Sequence, residues 1–210
     1  MADWSTIASF ATAGGTLVLA GATFSAVRSS NRSARIAEEG LLSNIRPLLV
    51  PSLTSDPPQK VEWMDYHRVQ LGGGRAVVEH QDGVVYLAIG VRNVGAGIAL
   101  LHGWRPHATR VGIEVPLADA DGIRTLTIDL YVPAGDAGYF EGAIRDLDDP
   151  IRADLLATVA GRQPFTIDLL YGDQQGRQRT VSRFTILPAE DDGWYCRAVQ
   201  HRNPDGPDPR

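Results

Sequence analysis

Lysine is almost missing from this chain. Lys60 is alone against nineteen arginines among 210 residues, and the formal net charge is −5. The arginines are dispersed, and no basic run follows residue 35. Without a basic face there is no footprint for nucleic acid, which is excluded as an expected partner. Cysteine is equally scarce. A single Cys196 rules out an intramolecular disulfide framework and fits a reducing compartment. It follows Trp194 and Tyr195, where an inert core thiol is expected.

Charge is absent altogether from residues 5–27 (STIASFATAGGTLVLAGATFSAV), and Arg28, Arg32 and Arg35 follow directly. At about 1.5 Å per residue, such a helix reaches roughly 35 Å, enough for a hydrocarbon core of about 30 Å. The spacing predicts a transmembrane helix over 1–27 and a juxtamembrane helical stalk over 28–47. Small residues outnumber large apolar ones in this run, so insertion is only modestly favourable. Ala8, Thr12, Thr16 and Ala20 recur every four residues and form a ridge suited to close helix packing. Ile7, Phe10, Leu17 and Phe24 occupy another face, suited to lipid. A secretory leader needs a positive amino-terminal region, and Asp3 is the only charge there. Arg28, Arg32 and Arg35 share one helical side and mark the membrane interface, where they meet anionic head groups. Their position puts the N-terminus outside and the remainder in the cytoplasm. A competing reading is an Ala-rich helix buried inside a soluble homo-oligomer.

Pro47 limits the helix, because the residue before proline prefers extended backbone. Beyond it, period-two alternation and turn residues predict a β domain over 48–199. Val85, Leu87, Ile89 and Val91 alternate cleanly, as do Leu126, Ile128, Leu130 and Val132. Asp82-Gly83 reads as a hairpin turn. Residues 54–60 read as a loop, Ala118 to Gly122 as a turn, and Arg110 to Val115 as a short strand. Tyr139 to Ile144 is expected to pair back on the preceding strand. Residues 148–161 form the expected soluble helix, with Asp149 as cap, Pro150 in the first turn and Gly161 at the end. Trp194 to Val199 reads as a final edge strand, and 200–210 as a disordered tail. Together these predict a mainly β fold: an immunoglobulin-like, two-sheet β-sandwich with one short amphipathic helix.

Chemistry-bearing patterns are few. Gly90 to Gly97 lacks phosphate-loop spacing. Asp119 to Gly122 lacks the remaining ligands of a calcium loop. His102 and His107 flank Trp104, and a polar pocket joining them to an acid would suggest an enzyme. Five histidines in all show no metal-ligand spacing. Trp63, Tyr66, Trp104, Tyr131 and Tyr139 are candidates for either core or partner anchors.

The order of features resembles a group of actinobacterial single-span membrane proteins. The resemblance rests on Arg46-Pro47, on the turn Asn93 to Gly97, and on the hairpin Tyr171 to Arg177. It implies architecture and brings no activity. The expected function is a membrane-anchored, non-enzymatic interaction domain or accessory subunit of a membrane complex, in a bacterial plasma membrane and with no cofactor. Its partners would be the lipid bilayer and another membrane protein or its own copies. The alternative is a soluble structural protein that assembles through its N-terminal helix.

Overall fold

The computed structural model describes residues 3–115, 122–176 and 178–204; for 4–12, 39 and 42–44 it describes backbone only. The expected turn at Ala118 to Gly122 and the tail beyond residue 204 therefore lie largely outside the described residues. The chain divides into two units, which meet between Asn44 and Ile45.

The first unit is one helix, α1 (Trp4–Asn44, 41 residues). It continues through the boundary expected at residue 27 and reaches roughly 60 Å. Gly14, Gly15, Gly21 and Gly40 do not interrupt it, and it ends three residues before Pro47. All its described side chains are exposed. Thr23 Oγ1 donates to the Leu19 carbonyl at 2.8 Å, and Ser25 Oγ to that of Ala22 at 2.8 Å. These hydroxyls are thus satisfied by the helix itself. Among the described residues, no helix is long and apolar enough to cross a membrane. The neutral run begins at Ser5, in the part of α1 whose side chains lie outside the description.

Among the described residues the second unit contains eleven strands and a short helix: β1 (Leu49–Pro51), β2 (Gln59–Glu62), β3 (Arg68–Leu71), β4 (Arg75–Gln81), β5 (Val84–Asn93), β6 (Ala99–His107), β7 (Arg124–Val132), β8 (Ala137–Ile144), α2 (Arg152–Ala160), β9 (Phe165–Gly172), β10 (Arg179–Pro188) and β11 (Trp194–Arg202). Nine strands make one antiparallel sheet in the order β1-β5-β4-β11-β10-β9-β6-β7, with β8 on the other side of β5. The sheet curls, so that Leu87, Ile89 and Phe140 share a core with Ile167, Phe184 and Ile186. Trp104 meets Phe140 there at 5.5 Å between ring centroids. This mainly β arrangement is consistent with a sandwich, but its halves are not separate sheets. β11 pairs with β10 along its length and with β4 through Trp194 and Tyr195.

That joint corrects one expectation directly: Trp194 to Val199 is an interior strand, extended to Arg202. Arg110 to Val115 forms no strand; it is a covering loop whose Val111 N–H donates to Thr166 Oγ1 at 2.9 Å. β8 pairs with β5 rather than with β7, because β5 offers eight consecutive partners from Val85 to Arg92. The loop expected at 54–60 gives way to β2 at Gln59, which pairs with β3 as a separate hairpin. The Asp82-Gly83 turn is as expected, with positive φ at both residues (51° and 82°).

α2 packs Leu155 into the core with Ile151, Leu156 and Val159 around it. Gly161 is its C-cap, as expected, whereas Ile151 rather than Asp149 stands at the N-cap. Asp149 accepts the Ile151 N–H at 3.1 Å just before the helix, while its carboxylate is gripped by Arg124. At the far end Gly161 has an ordinary φ of −76°, and Arg162 takes the left-handed position at φ 48°. The Gln163 N–H then reaches the Thr158 carbonyl and the Arg162 N–H that of Val159, which is a Schellman closure.

The motif Asn93 to Gly97 has a definite task. Asn93 is fully buried, and its Oδ1 accepts N–H groups from Leu48 and Gly95. Its Nδ2 donates to the carbonyls of Gly97 and Val132. A Cβ at Gly95 or Gly97 would strike the backbone of Arg46 or Ile45. The turn therefore cradles the segment that leads into β1.

Candidate functional site

β7 and β8 are edge strands of the curled sheet, each laddering with one neighbour only. They lie side by side without pairing to each other. Gly138 and Gly142 permit the approach: a Cβ at Gly142 would lie 2.7 Å from the Trp104 ring, and one at Gly138 3.0 Å from Val132. Between these edges sits a cavity of about 40 Å³, lined by Trp63, Trp104, Thr125, Thr127, Glu141 and Arg145.

Glu141 is 4% exposed, and its Oε2 has no hydrogen-bond partner. Burial pushes its pKa up to about 7, opposed by Arg145 and assisted by Asp65. The surrounding charges are already matched. Arg145 Nη2 donates to Asp65 Oδ2 at 3.0 Å, and the Tyr86 hydroxyl to the same oxygen at 2.7 Å. Arg124 holds Asp149 with both terminal nitrogens. Asp65 is held below the usual carboxylate range by these bonds, against an opposing burial effect.

The β2–β3 hairpin supplies one wall. Trp63 Nε1 donates to the Gly142 carbonyl at 3.1 Å and so occupies an acceptor of β8. Tyr86 meets Trp63 edge-on at 5.1 Å and stacks on His67 at 4.0 Å. His67 Nε2 lies 2.9 Å from Glu79 Oε2. Val61, Leu71 and Ala88 complete this second, smaller core.

Two further polar clusters tie strands and loops together. Asp168 and Arg183 are both fully buried and form a double contact at 2.7 and 2.8 Å. Arg183 Nη1 also donates to the carbonyls of Gly112 and Val115, and so fastens the covering loop. His107 Nε2 lies 3.1 Å from Asp168 Oδ2. Arg183 and His107 hold the Asp168 pKa down against the effect of burial. In the other cluster the Leu49 N–H donates to the Tyr171 hydroxyl at 3.0 Å. Tyr171 bonds Ser182 at 2.7 Å, and Ser182 bonds His201 Nδ1 at 2.6 Å. Ser182 is fully buried. Burial, then Arg46, lower the His201 pKa.

The histidines flanking Trp104 are not brought together. His107 belongs to the Asp168 cluster, whereas His102 lines a shallow groove of about 340 Å³ with Thr125, Asp129 and Leu170. Burial, then Arg179, lower the His102 pKa. Among the described residues no group of three or more His, Cys, Asp or Glu is placed to hold a metal ion. Cys196 is buried, and burial pushes its thiol pKa up. Of the anchor candidates, Trp63 and Trp104 are core, Tyr66 and Tyr131 are exposed, and Tyr139 is half-buried.

On α1, Arg28, Arg32 and Arg35 lie along one side with Asn31 and Ile36, as their spacing requires. Thr16 and Ala20 of the small-residue ridge are exposed; the side chains of Ala8 and Thr12 lie outside the description. Glu141 could be found in the sequence only as a lone carboxylate inside the apolar strand Tyr139 to Ile144. No known protein family matches this chain, and no curated protein does.

Proposed function

We propose that the chain is a membrane-anchored, non-enzymatic interaction domain, an accessory subunit held at a bacterial plasma membrane by α1. One observation carries the reading. Leu17, Val18, Leu19, Phe24 and Val27 are each more than half exposed on the helix surface. Successive helical residues turn by about 100°, so these five side chains point to every side of α1. A single partner surface covers one side of a helix; a bilayer covers all of them. Covering five such side chains is worth on the order of 10 kcal/mol. Arg28, Arg32 and Arg35 then sit at the inner interface, which puts the β domain in the cytoplasm. The Asp168–Arg183–His107 and Tyr171–Ser182–His201 clusters hold loop and strand contacts, which favours docking over turnover.

The test is fractionation followed by protease protection. Full-length protein is expected in carbonate-washed membranes, with the β domain digested only after the inner face is exposed. Digestion from outside intact cells would reverse the orientation. The second reading, a soluble assembly bundled through α1, is favoured by the exposed Thr16 and Ala20, which permit close helix approach. Recovery as a large detergent-free particle would establish it instead.

A further inference from the structure

The seam between β7 and β8 joins features that the anchoring role does not use. Glu141 is almost fully buried, its Oε2 is unpartnered, and it lines a cavity. Each arginine nearby is already engaged by an aspartate, Arg145 by Asp65 and Arg124 by Asp149. An ionised Glu141 is therefore the carboxylate at the seam left without a counter-charge. A buried charge in that condition is costly unless paired.

We propose that this seam is a binding slot for a primary ammonium group, with Glu141 as its counter-ion. Four properties select that chemistry. The carboxylate rejects anions. A volume of about 40 Å³ admits one small polar centre and excludes a bulky head group. One carboxylate falls short of the oxygen shell that calcium or magnesium requires. The walls suit an ammonium ion: Thr125 and Thr127 offer hydroxyl acceptors, and Trp63 and Trp104 offer indole rings. Trp104 already carries a cation, since Arg124 Cζ lies 5.7 Å from its ring centroid. The ammonium could belong to a small free amine or end the side chain of a partner's lysine. The slot recognises the same group in either case.

The groups facing Glu141 bear on how pH acts. Arg145 follows it on β8, Asp65 comes from the hairpin turn, Arg124 from β7, and Tyr139 precedes it on β8. Asp65 stays ionised between pH 5.5 and 8, because the Tyr86 hydroxyl and then Arg145 hold its carboxyl low against the effect of burial. Glu141 titrates within that range, near 7. Lowering the pH from 8 to 5.5 reduces its ionised fraction about thirtyfold.

The test uses the full chain in neutral detergent micelles, with the indole N–H resonance of Trp63 as reporter. Methylammonium chloride is titrated at constant ionic strength against sodium chloride and tetramethylammonium chloride. A saturable shift is expected with methylammonium alone, at pH 8. The apparent affinity should drop more than tenfold at pH 5.5 and more than tenfold in E141Q. The pH comparison needs no variant, so it stands if E141Q fails to fold. An equal shift with sodium or tetramethylammonium, or one indifferent to pH, overturns the proposal. Nα-acetyl-lysine amide separates the two sources: binding like methylammonium points to a lysine side chain, whereas binding of methylammonium alone points to a free amine. No shift with either amine overturns the slot and leaves the anchoring role untouched.

Discussion

Single residues carry opposite electrostatic signs in this domain. Glu141 is buried without a counter-ion, and its folded pKa of about 7 exceeds the 4.5 of a free glutamate. The folded state thus holds the proton more tightly than the unfolded state. Its contribution to stability is complete below about pH 4.5 and is lost as pH rises through about 7. E141Q keeps the shape and removes the ionisation. The variant is expected to exceed the wild type at pH 8 by a few kcal/mol at most, and to flatten the fall between pH 5 and 8 in urea melts. Asp168 behaves oppositely, because Arg183 satisfies it from a fully buried position. R183M leaves that carboxylate with His107 Nε2, 3.1 Å away, as its remaining side-chain partner, and should cost about 3–5 kcal/mol in denaturant unfolding. The double variant D168L/R183M should recover part of that loss, since it removes the buried charge as well. Neither Glu141 nor Asp168 announces its burial in the sequence. Alternation in β9 puts Asp168 on the face opposite Ile167 and Leu169, which reads as solvent. The loop at 108–115 covers that face, and its contacts lie more than fifty residues away in sequence.

At the scale of elements, legibility follows how local the determining force is. β5 and β7 could be read from their alternation, and the turn at Asp82-Gly83 from two residues that accept positive φ. α2 was legible from its apolar spacing, although its closure was not. Gly161 looks like the stop, yet Arg162 adopts the left-handed backbone. Its guanidinium compensates by donating to the carbonyls of Ala189, Asp192 and Gly193 and by lying 5.2 Å from the Trp194 ring centroid. This separates two effects experimentally. R162G loses the side-chain clamp and keeps an easy left-handed turn. R162A loses the clamp and retains a strained one, so it should be the less stable by about 1 kcal/mol in thermal or urea melts. Arg110 to Val115 differs from the expected strand for a related reason: Val111 and Ile113 alternate, but the Val111 N–H is spent on Thr166 and the Gly112 and Val115 carbonyls on Arg183. The β11–β4 joint was equally hidden, since a two-residue pairing leaves no mark in either strand's pattern.

For the whole molecule, the division between Asn44 and Ile45 separates a lone helix from a domain with its own core. Both hydrophobic clusters of the β domain are built from residues of the second unit. Removal of residues 1–44 should therefore leave a folded domain whose melting temperature matches that of the full chain within about 2 °C. The same removal should abolish membrane association if α1 is the anchor. A cut only four residues later is expected to behave differently. Leu48 donates its N–H to Asn93 Oδ1 and accepts the Val94 N–H, and Ile45 and Arg46 fill the space above Gly97 and Gly95. Deleting residues 1–48 strips Asn93, a fully buried side chain, of one of its partners and opens the end of β1. The cost of an unsatisfied buried polar group, about 1–3 kcal/mol, adds to the lost packing of that segment. The longer deletion should melt several degrees below the shorter one. Equal melting temperatures would mean that the Asn93 cradle does not secure the lead-in to β1, and the boundary would then have to be drawn inside the β domain.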